Sequence, residues 1–284
     1  MSKPQPKFRK DTSLRFYNEV LGLDRLHYGL WNPEDPRTLE GVKIAQLRYE
    51  DYLLQEIRQL FPNPSQTRIL DVGCGTGAMT EALHNAGFIA EGLSPDLHQQ
   101  EVFKKRLQVP FHLARFQYFE ASENSYDIIL MSESAQYISL PQLFEVAAQL
   151  LKPTGILMVC DYFTFNHSSG PLAKSGHKFE KFMPMASQSG FQMIKEQDIT
   201  AQVAPTLETA DLFTKQYILP TVDILMEKFQ QKKPRLLRFA KWLFRKNIAK
   251  LQNNIALLNA EEFCKNKAYK LIIFKNGKQN PPKQ

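Results

Sequence analysis

Apolar residues return at helical intervals between Thr38 and Leu60. Leu39, Val42, Ala45, Tyr49, Tyr52, Leu53, Ile57 and Leu60 share one broad stripe, which predicts an amphipathic helix. The run "FPNPSQT" (61–67) then breaks the chain. Beyond it, short apolar runs alternate with helical patterns. The strand candidates are 68–72, 88–93, 110–114, 126–131 and 155–162. Between the last two, "SLPQLFEVAAQLLKPTG" predicts a helix, with Ser139 and Gln142 at capping-box spacing and Lys152-Pro153 and Gly155 as its stop. A helix over 178–189 carries Phe179, Phe182, Met183 and Ala186 on one face and stops at Gly190; a strand over 191–198 follows. The last strand, "AYKLIIF" at 268–274, comes only after a long helical stretch.

Strands alternating with helices predict an α/β fold with a doubly wound, mainly parallel sheet. Ligands of such sheets bind beyond the carboxyl ends of the strands, where the strand order reverses. The expected organisation is a sheet core at 65–198 and 268–275, preceded by a helical segment at 12–64. Residues 199–267 form an insertion of two long helical stretches, with Pro220 kinking the first and Pro234 starting the second. The Pro/Lys/Gln-rich ends, 1–11 and 276–284, read as disordered tails.

The first strand runs into "DVGCGTG", where Gly73, Gly75 and Gly77 follow Asp71. Three glycines allow positive φ and close approach of a ligand to the backbone. The spacing is G-x-G-x-G, not the G-x-G-x-x-G of a dinucleotide site, and no Gly-Lys-Ser/Thr of a phosphate-binding loop is present. An acid before the turn suits a ligand bearing an ammonium group. The alternative is a tight strand-to-helix turn with no ligand.

On "ILDVGCGTG" the chain resembles the class I S-adenosyl-L-methionine-dependent methyltransferases, over roughly residues 15–275, with a seven-stranded Rossmann-like sheet. The resemblance implies that Asp71, Gly73, Cys74 and Gly75 hold the methionine end of the cofactor. It assigns Ser94, Phe116 and Ser132 to the rest of the cofactor site. Two positions depart from the family pattern. Ser94 stands where an acid usually takes the ribose hydroxyls, with Asp96 and Glu91 as alternatives. Arg115 stands where an Asp usually lies near the adenine. On the substrate side, "LHYGLW" is similar to a segment that lies over the cofactor in tocopherol, sterol and natural-product methyltransferases, which makes His27, Tyr28 and Trp31 candidate lid residues; aromatic packing of an N-terminal arm is the alternative. Relatives that methylate sugar hydroxyls carry histidines where this chain has Gln136 and Tyr137, and a neutral amide takes no proton. Glu133, Tyr137 and Asp161 are the remaining candidates to orient or deprotonate a nucleophile. His167 and His177 lie in a segment that can face the site.

Composition narrows the setting. Hydrophobic residues make up 43% of the 284, enough for a full core. The basic, polar start has no apolar stretch and does not read as a secretory signal, and no apolar run nears the ~20 residues of a membrane span. Cys74, Cys160 and Cys264 suggest neither a disulfide framework nor a zinc site, so no metal is expected and a cytoplasmic setting is the simplest. The net charge of +7 is concentrated in 231–255, where Lys232, Lys233, Arg235, Arg238, Lys241, Arg245, Lys246 and Lys250 meet no acid. Leu236, Leu237, Ala240, Leu243, Phe244, Ile248, Leu251 and Ile255 would share the other face, and Trp242 projects toward the basic side. The stretch reads either as an ordinary cap helix or as a peripheral contact with an anionic membrane. Related enzymes with lipid-like substrates use such an insertion as a lid, whereas nucleic acid needs an open groove. The expected activity is methyl transfer to a small, apolar or lipid-like molecule. The alternatives are O- or N-methylation of a polar natural product, or cofactor binding without catalysis.

Overall fold

The computed structural model describes Phe8 and residues 19–243, 245, 255 and 257–277. Both expected tails lie largely outside them. Residues 21–38 carry no helix, so the expected helical segment at 12–64 is helical, among the described residues, chiefly in α1 (Leu39–Leu60). Thr38 caps α1 by accepting the Gly41 N–H, and Val42, Ala45, Tyr49, Leu53 and Ile57 form its buried stripe.

The core then alternates strand and helix: β1 (Arg68–Val72), α2 (Ala78–Asn85), β2 (Ile89–Ser94), α3 (Leu97–Arg106), β3 (Phe111–Leu113), β4 (Tyr126–Ser132), α4 (Leu140–Leu150) and β5 (Leu151–Thr164). After β5 come the two-residue β6 (His177–Lys178), α5 (Phe179–Gln188) and β7 (Phe191–Asp198). The insertion holds α6 (Thr200–Val203), α7 (Pro205–Phe213), a π turn (Thr214–Ile218), α8 (Leu219–Lys232), α9 (Pro234–Leu243) and α10 (Ala260–Asn266). β8 (Lys267–Asn276) closes the sheet. Pro234 starts α9 as expected, but Pro220 lies just past the π turn, at the start of α8. The Ser139–Gln142 capping box does not form: the Ser139 hydroxyl bonds the Gln142 side chain at 2.7 Å and leaves the backbone uncapped.

The sheet order is β3-β2-β1-β4-β5-β8-β7, with β6 pairing β5. β1 to β5 are parallel; β8 runs antiparallel between β5 and β7. Seven strands were expected; the eighth is the short β6, whose two residues give too little periodicity to read. Both faces are covered. Leu70, Val72, Ile129, Met131, Leu157 and Val159 face α4 and α5. Ile69, Ile128, Leu130, Met158 and Cys160 face α1, α2 and the cap. This double burial explains the almost unbroken apolar runs. Each such Leu, Ile or Val contributes roughly 1.5–3 kcal/mol through burial. The order reverses between β1 and β4, so a crevice opens beyond their carboxyl ends, at Val72 and Ser132.

Candidate active site

The glycine turn leaves β1 at this crevice. Gly73, Gly75 and Gly77 all have positive φ, at 77°, 56° and 88°. Their surroundings differ. A Cβ on Gly73 would run into the Ser134 Cβ, and one on Gly77 would come 2.6 Å from the Phe103 ring. A Cβ on Gly75 would meet only Leu26 Cδ1, at 3.9 Å. Two glycines therefore serve the protein's own packing, and only Gly75 opens onto space a ligand can use. The N–H groups of Gly73 and Cys74 donate to the Leu93 carbonyl, at 2.7 and 3.2 Å.

Asp71 is 2% exposed, and burial raises its carboxyl to about 6. Its Oδ2 accepts from Thr80 at 2.6 Å. At the end of β2, the Ser94 hydroxyl donates to Gln99 Oε1 and accepts the Asp96 N–H, while Asp96 caps α3 through the Gln99 N–H. Glu91 sits back from the crevice, where burial is outweighed by His112, Arg68 and Tyr126, which hold it down to about 2. None of these three is free for a ribose. Arg115 is exposed and Phe116 buried. His98, on the first turn of α3, was missed by sequence reasoning. Among the described residues its Nε2 is the buried side-chain atom without a hydrogen-bond partner. A ligand group would complete it.

Residues 24–31 lie over the turn. The Thr76 hydroxyl donates to the Asp24 carbonyl, and Leu26 reaches Gly75. His27 stacks on Tyr49 with ring centroids 4.7 Å apart; its Nδ1 meets the Tyr28 carbonyl at 2.7 Å and its Nε2 the Glu50 carboxylate at 3.2 Å. Burial alone would lower His27, but the Glu50 hydrogen bond and charge, with Glu133, carry it above its ordinary value. Both ring nitrogens face acceptors, which suits an imidazolium. Trp31 is 3% exposed and packs on Val42 and Ala45; its Nε1 donates to Thr206 Oγ1 at 2.8 Å, beside the Gly29 N–H at 3.0 Å. Trp31 thus anchors this segment to α7, while His27 and Tyr28 face the cavity.

The three candidate bases separate. Glu133 has φ +55° and is half-buried; its Oε1 accepts the Tyr28 N–H at 2.6 Å and the Tyr269 hydroxyl at 2.7 Å. Burial raises its carboxyl, with His27, Tyr269 and Tyr28 opposing. Tyr269 also reaches Tyr49, whose hydroxyl bonds Ser132 Oγ at 3.0 Å. Ser132 therefore belongs to this buried chain of hydroxyls. Asp161 is 1% exposed and accepts from Gln136 and Tyr162; burial pushes it up to about 8, with Glu133 adding. Tyr137 is 78% exposed and lies outside the cavity lining. The His177 Nε2–H donates to the Ala135 carbonyl, 2.9 Å away, and burial lowers the imidazole; His167 lies 3.4 Å from the Lys265 carbonyl. Among the described residues, no group of three or more His, Cys, Asp or Glu could hold a metal ion.

A cavity of about 860 Å³ lies between residues 21–28, the start of α1, α7, the π turn and the start of β8. Leu26, Val42, Leu172, Phe213 and Phe263 give it apolar walls. Leu26 lines it, and its Cδ1 lies 3.9 Å from where a Cβ on Gly75 would stand, so turn and cavity adjoin. The buried Lys267 lines it too, unmarked in the sequence because it reads as the last residue of the insertion, just before an ordinary strand.

The family model described as "Methyltransferase domain" matches residues 45–204, just over half of the chain. A ubiquinone biosynthesis O-methyltransferase from Actinobacillus pleuropneumoniae serotype 5b is 26% identical over 181 residues, which span 55% of this chain and 74% of that protein. Two solved structures share the fold. The structure of a putative sarcosine dimethylglycine methyltransferase from Galdieria sulphuraria has a TM-score of 0.73 at 16% identity, over 94% of this chain and 99% of that one. The geranyl diphosphate C-methyltransferase from Streptomyces coelicolor A3(2), solved with Mg2+, geranyl-S-thiolodiphosphate and S-adenosyl-L-homocysteine, has a TM-score of 0.67 at 14% identity, over 96% and 94%.

Proposed function

The chain belongs to the methyltransferase-domain family, and from that premise we propose that it methylates a small, lipid-like acceptor held in the cavity beneath the cap. Its cofactor is S-adenosylmethionine, which supplies, when bound, an electrophilic methyl group for in-line displacement. The observation that carries the proposal is the place of Leu26, which lines the apolar cavity and borders the open side of Gly75, 3.9 Å from where a Cβ there would stand.

The residues present fit that cofactor. Gly75 leaves a cradle that a Cβ would fill, and the buried Asp71 sits beside it to meet an ammonium group. His98 offers the ribose or adenine end a partner where Ser94, Asp96 and Glu91 are committed elsewhere. The protein's part is to position two partners and exclude water. Residues 24–31, pinned to α7 through Thr206 and to β4 through Glu133, cover the site. Glu133 orients this cover and Asp161 orients Gln136; neither has a geometry dedicated to taking a proton from an acceptor.

We further propose that the cap meets an anionic membrane through α9. Arg235, Leu236, Arg238 and Leu243 are exposed there, as is Arg245 just beyond its end, while Leu237 is buried. The side chain of Trp242 and residues 246–254 lie outside the described residues. Each basic residue near such a surface contributes about 1 kcal/mol.

The test is incubation with S-adenosylmethionine labelled on its methyl group and cell extracts, which are then acidified and divided into organic and aqueous phases, so that an amphiphilic acid also enters the organic phase. The proposal expects label in the organic phase. Label confined to the aqueous phase, in a polar acceptor, would overturn the substrate class while leaving the family activity intact.

A further inference from the structure

Lys267 opens β8 at the edge of the sheet where the parallel strands end, and it lines the cavity. The residue is 3% exposed. Its Nζ donates to Ser175 Oγ at 2.8 Å and sits 3.8 Å from the centre of the Tyr162 ring. The Tyr162 hydroxyl shares Ser175. Among the described residues no carboxylate comes within ion-pair distance of the ammonium group, and Asp161 attracts it only through space.

The other basic side chains lining the cavity each have a carboxylate within ion-pair distance. Arg25 and His27 share Glu50, at 2.9 and 3.2 Å, and Arg37 meets Glu208 at 3.4 Å. The acid among the lining side chains, Glu40, is exposed in the first turn of α1. A buried ammonium group is costly unless an anion and further hydrogen bonds compensate it. Here an aromatic face and one hydroxyl compensate it in part. The rest of the compensation is left to whatever enters an otherwise apolar cavity.

We propose that Lys267, with Ser175 and Tyr162, recognises an anionic head group, a carboxylate or a phosphate, on the acceptor. The inference rests on the reading that this cavity holds the acceptor. The acceptor is then an amphiphilic acid. Its head is fixed by Lys267 and its apolar body lies along Leu172, Phe213 and Phe263, toward Leu26 and the glycine turn. Lys267 sets specificity and takes no part in breaking or forming bonds.

Calorimetric titration of the full chain, saturated with S-adenosylhomocysteine, tests this with three probes of equal tail: decanoate, decyl phosphate and decanol. At least one anion should bind about tenfold tighter than decanol, the worth of one charge-assisted hydrogen bond. The tighter of the two identifies the head group. Lys267→Met should bring that anion to parity with decanol and leave S-adenosylhomocysteine affinity unchanged. Should Lys267→Met not fold, Ser175→Ala carries the test with a smaller loss, about threefold. Anions that bind no better than decanol to the wild type, or a preference that survives in both variants, would overturn the head-group assignment alone. Failure of all three probes, with S-adenosylhomocysteine still bound, would overturn the reading of the cavity as well.

Discussion

The Glu133 carboxylate accepts the backbone N–H of Tyr28 at 2.6 Å, across 105 residues of sequence, and so ties the N-terminal cover to the end of β4. The same oxygen takes the Tyr269 hydroxyl at 2.7 Å. Glu133→Ala would take this acceptor from both donors, while the Tyr269 hydroxyl keeps Tyr49 at 3.0 Å, at a cost of about 1–3 kcal/mol in all. The variant should lose that stability in denaturant melts and become prone to proteolysis ahead of α1. Its KM for the acceptor should rise more than kcat falls. A tenfold or greater fall in kcat with KM unchanged would mark Glu133 as the base instead.

Tyr137→Phe should leave turnover unchanged, because the side chain is 78% exposed and outside the cavity lining. Steady-state kinetics on the variant check this; a large loss would place the acceptor on the outer side of the turn after β4.

Gly75 and Gly77 separate binding from folding. Gly75→Leu points a side chain into the space beside Leu26 and should abolish cofactor binding at little cost to the fold beyond the ~1 kcal/mol of a positive φ. Gly77→Ala pushes a methyl group to 2.6 Å from the Phe103 ring, so it should destabilise the protein by about 1–3 kcal/mol through overpacking. Paired calorimetry and thermal melts check both; a folded Gly75→Leu with full affinity would remove the turn from the site.

Lys267 makes stability depend on pH. Burial lowers it from 10.5 to about 8, with Asp161 opposing. The unfolded chain therefore binds this proton first as pH falls, and stability is lost between 10.5 and about 8. Lys267→Met should be more stable than wild type near neutral pH, by roughly 1–3 kcal/mol, and the gain should vanish above the ordinary lysine range. Asp161, raised from 3.8 to about 8, works in the other direction, its contribution fading as pH rises through that window. Melts across pH on both proteins check the sign; a destabilised Lys267→Met at neutral pH would contradict it.

Liposome sedimentation tests the membrane contact. Wild type should sediment with anionic vesicles at low salt and be released by high salt. Reversing Arg235 and Arg238 to Glu should abolish it. Equal sedimentation with neutral and anionic vesicles, or none with either, returns α9 to an ordinary cap helix.

The sheet was legible because burial on two faces imposes long apolar runs on β1, β4, β5 and β8, and the glycine turn because three glycines after a strand have few other uses. The role of each glycine was not legible: Ser134 and Phe103 fill the spaces at Gly73 and Gly77 from distant parts of the chain. Trp31 reads as a candidate lid residue or as packing of an N-terminal arm; its hydrogen bond to Thr206 was not legible, since only the fold brings Thr206 to its Nε1. Lys267 and His98 were invisible because nothing local distinguishes them. The burial of Lys267 away from any carboxylate, and that of the unpartnered His98 Nε2, arise from tertiary packing alone.

At one junction, Leu26 borders both the open side of Gly75 and the cavity beneath the cap. A crystal structure with S-adenosylhomocysteine bound measures it directly. The account predicts the amino acid end of the ligand beside Asp71 and Gly75, and its thioether sulfur facing the cavity past Leu26 and His27. A sulfur turned away from the cavity, or a ligand bound elsewhere in the fold, would contradict it.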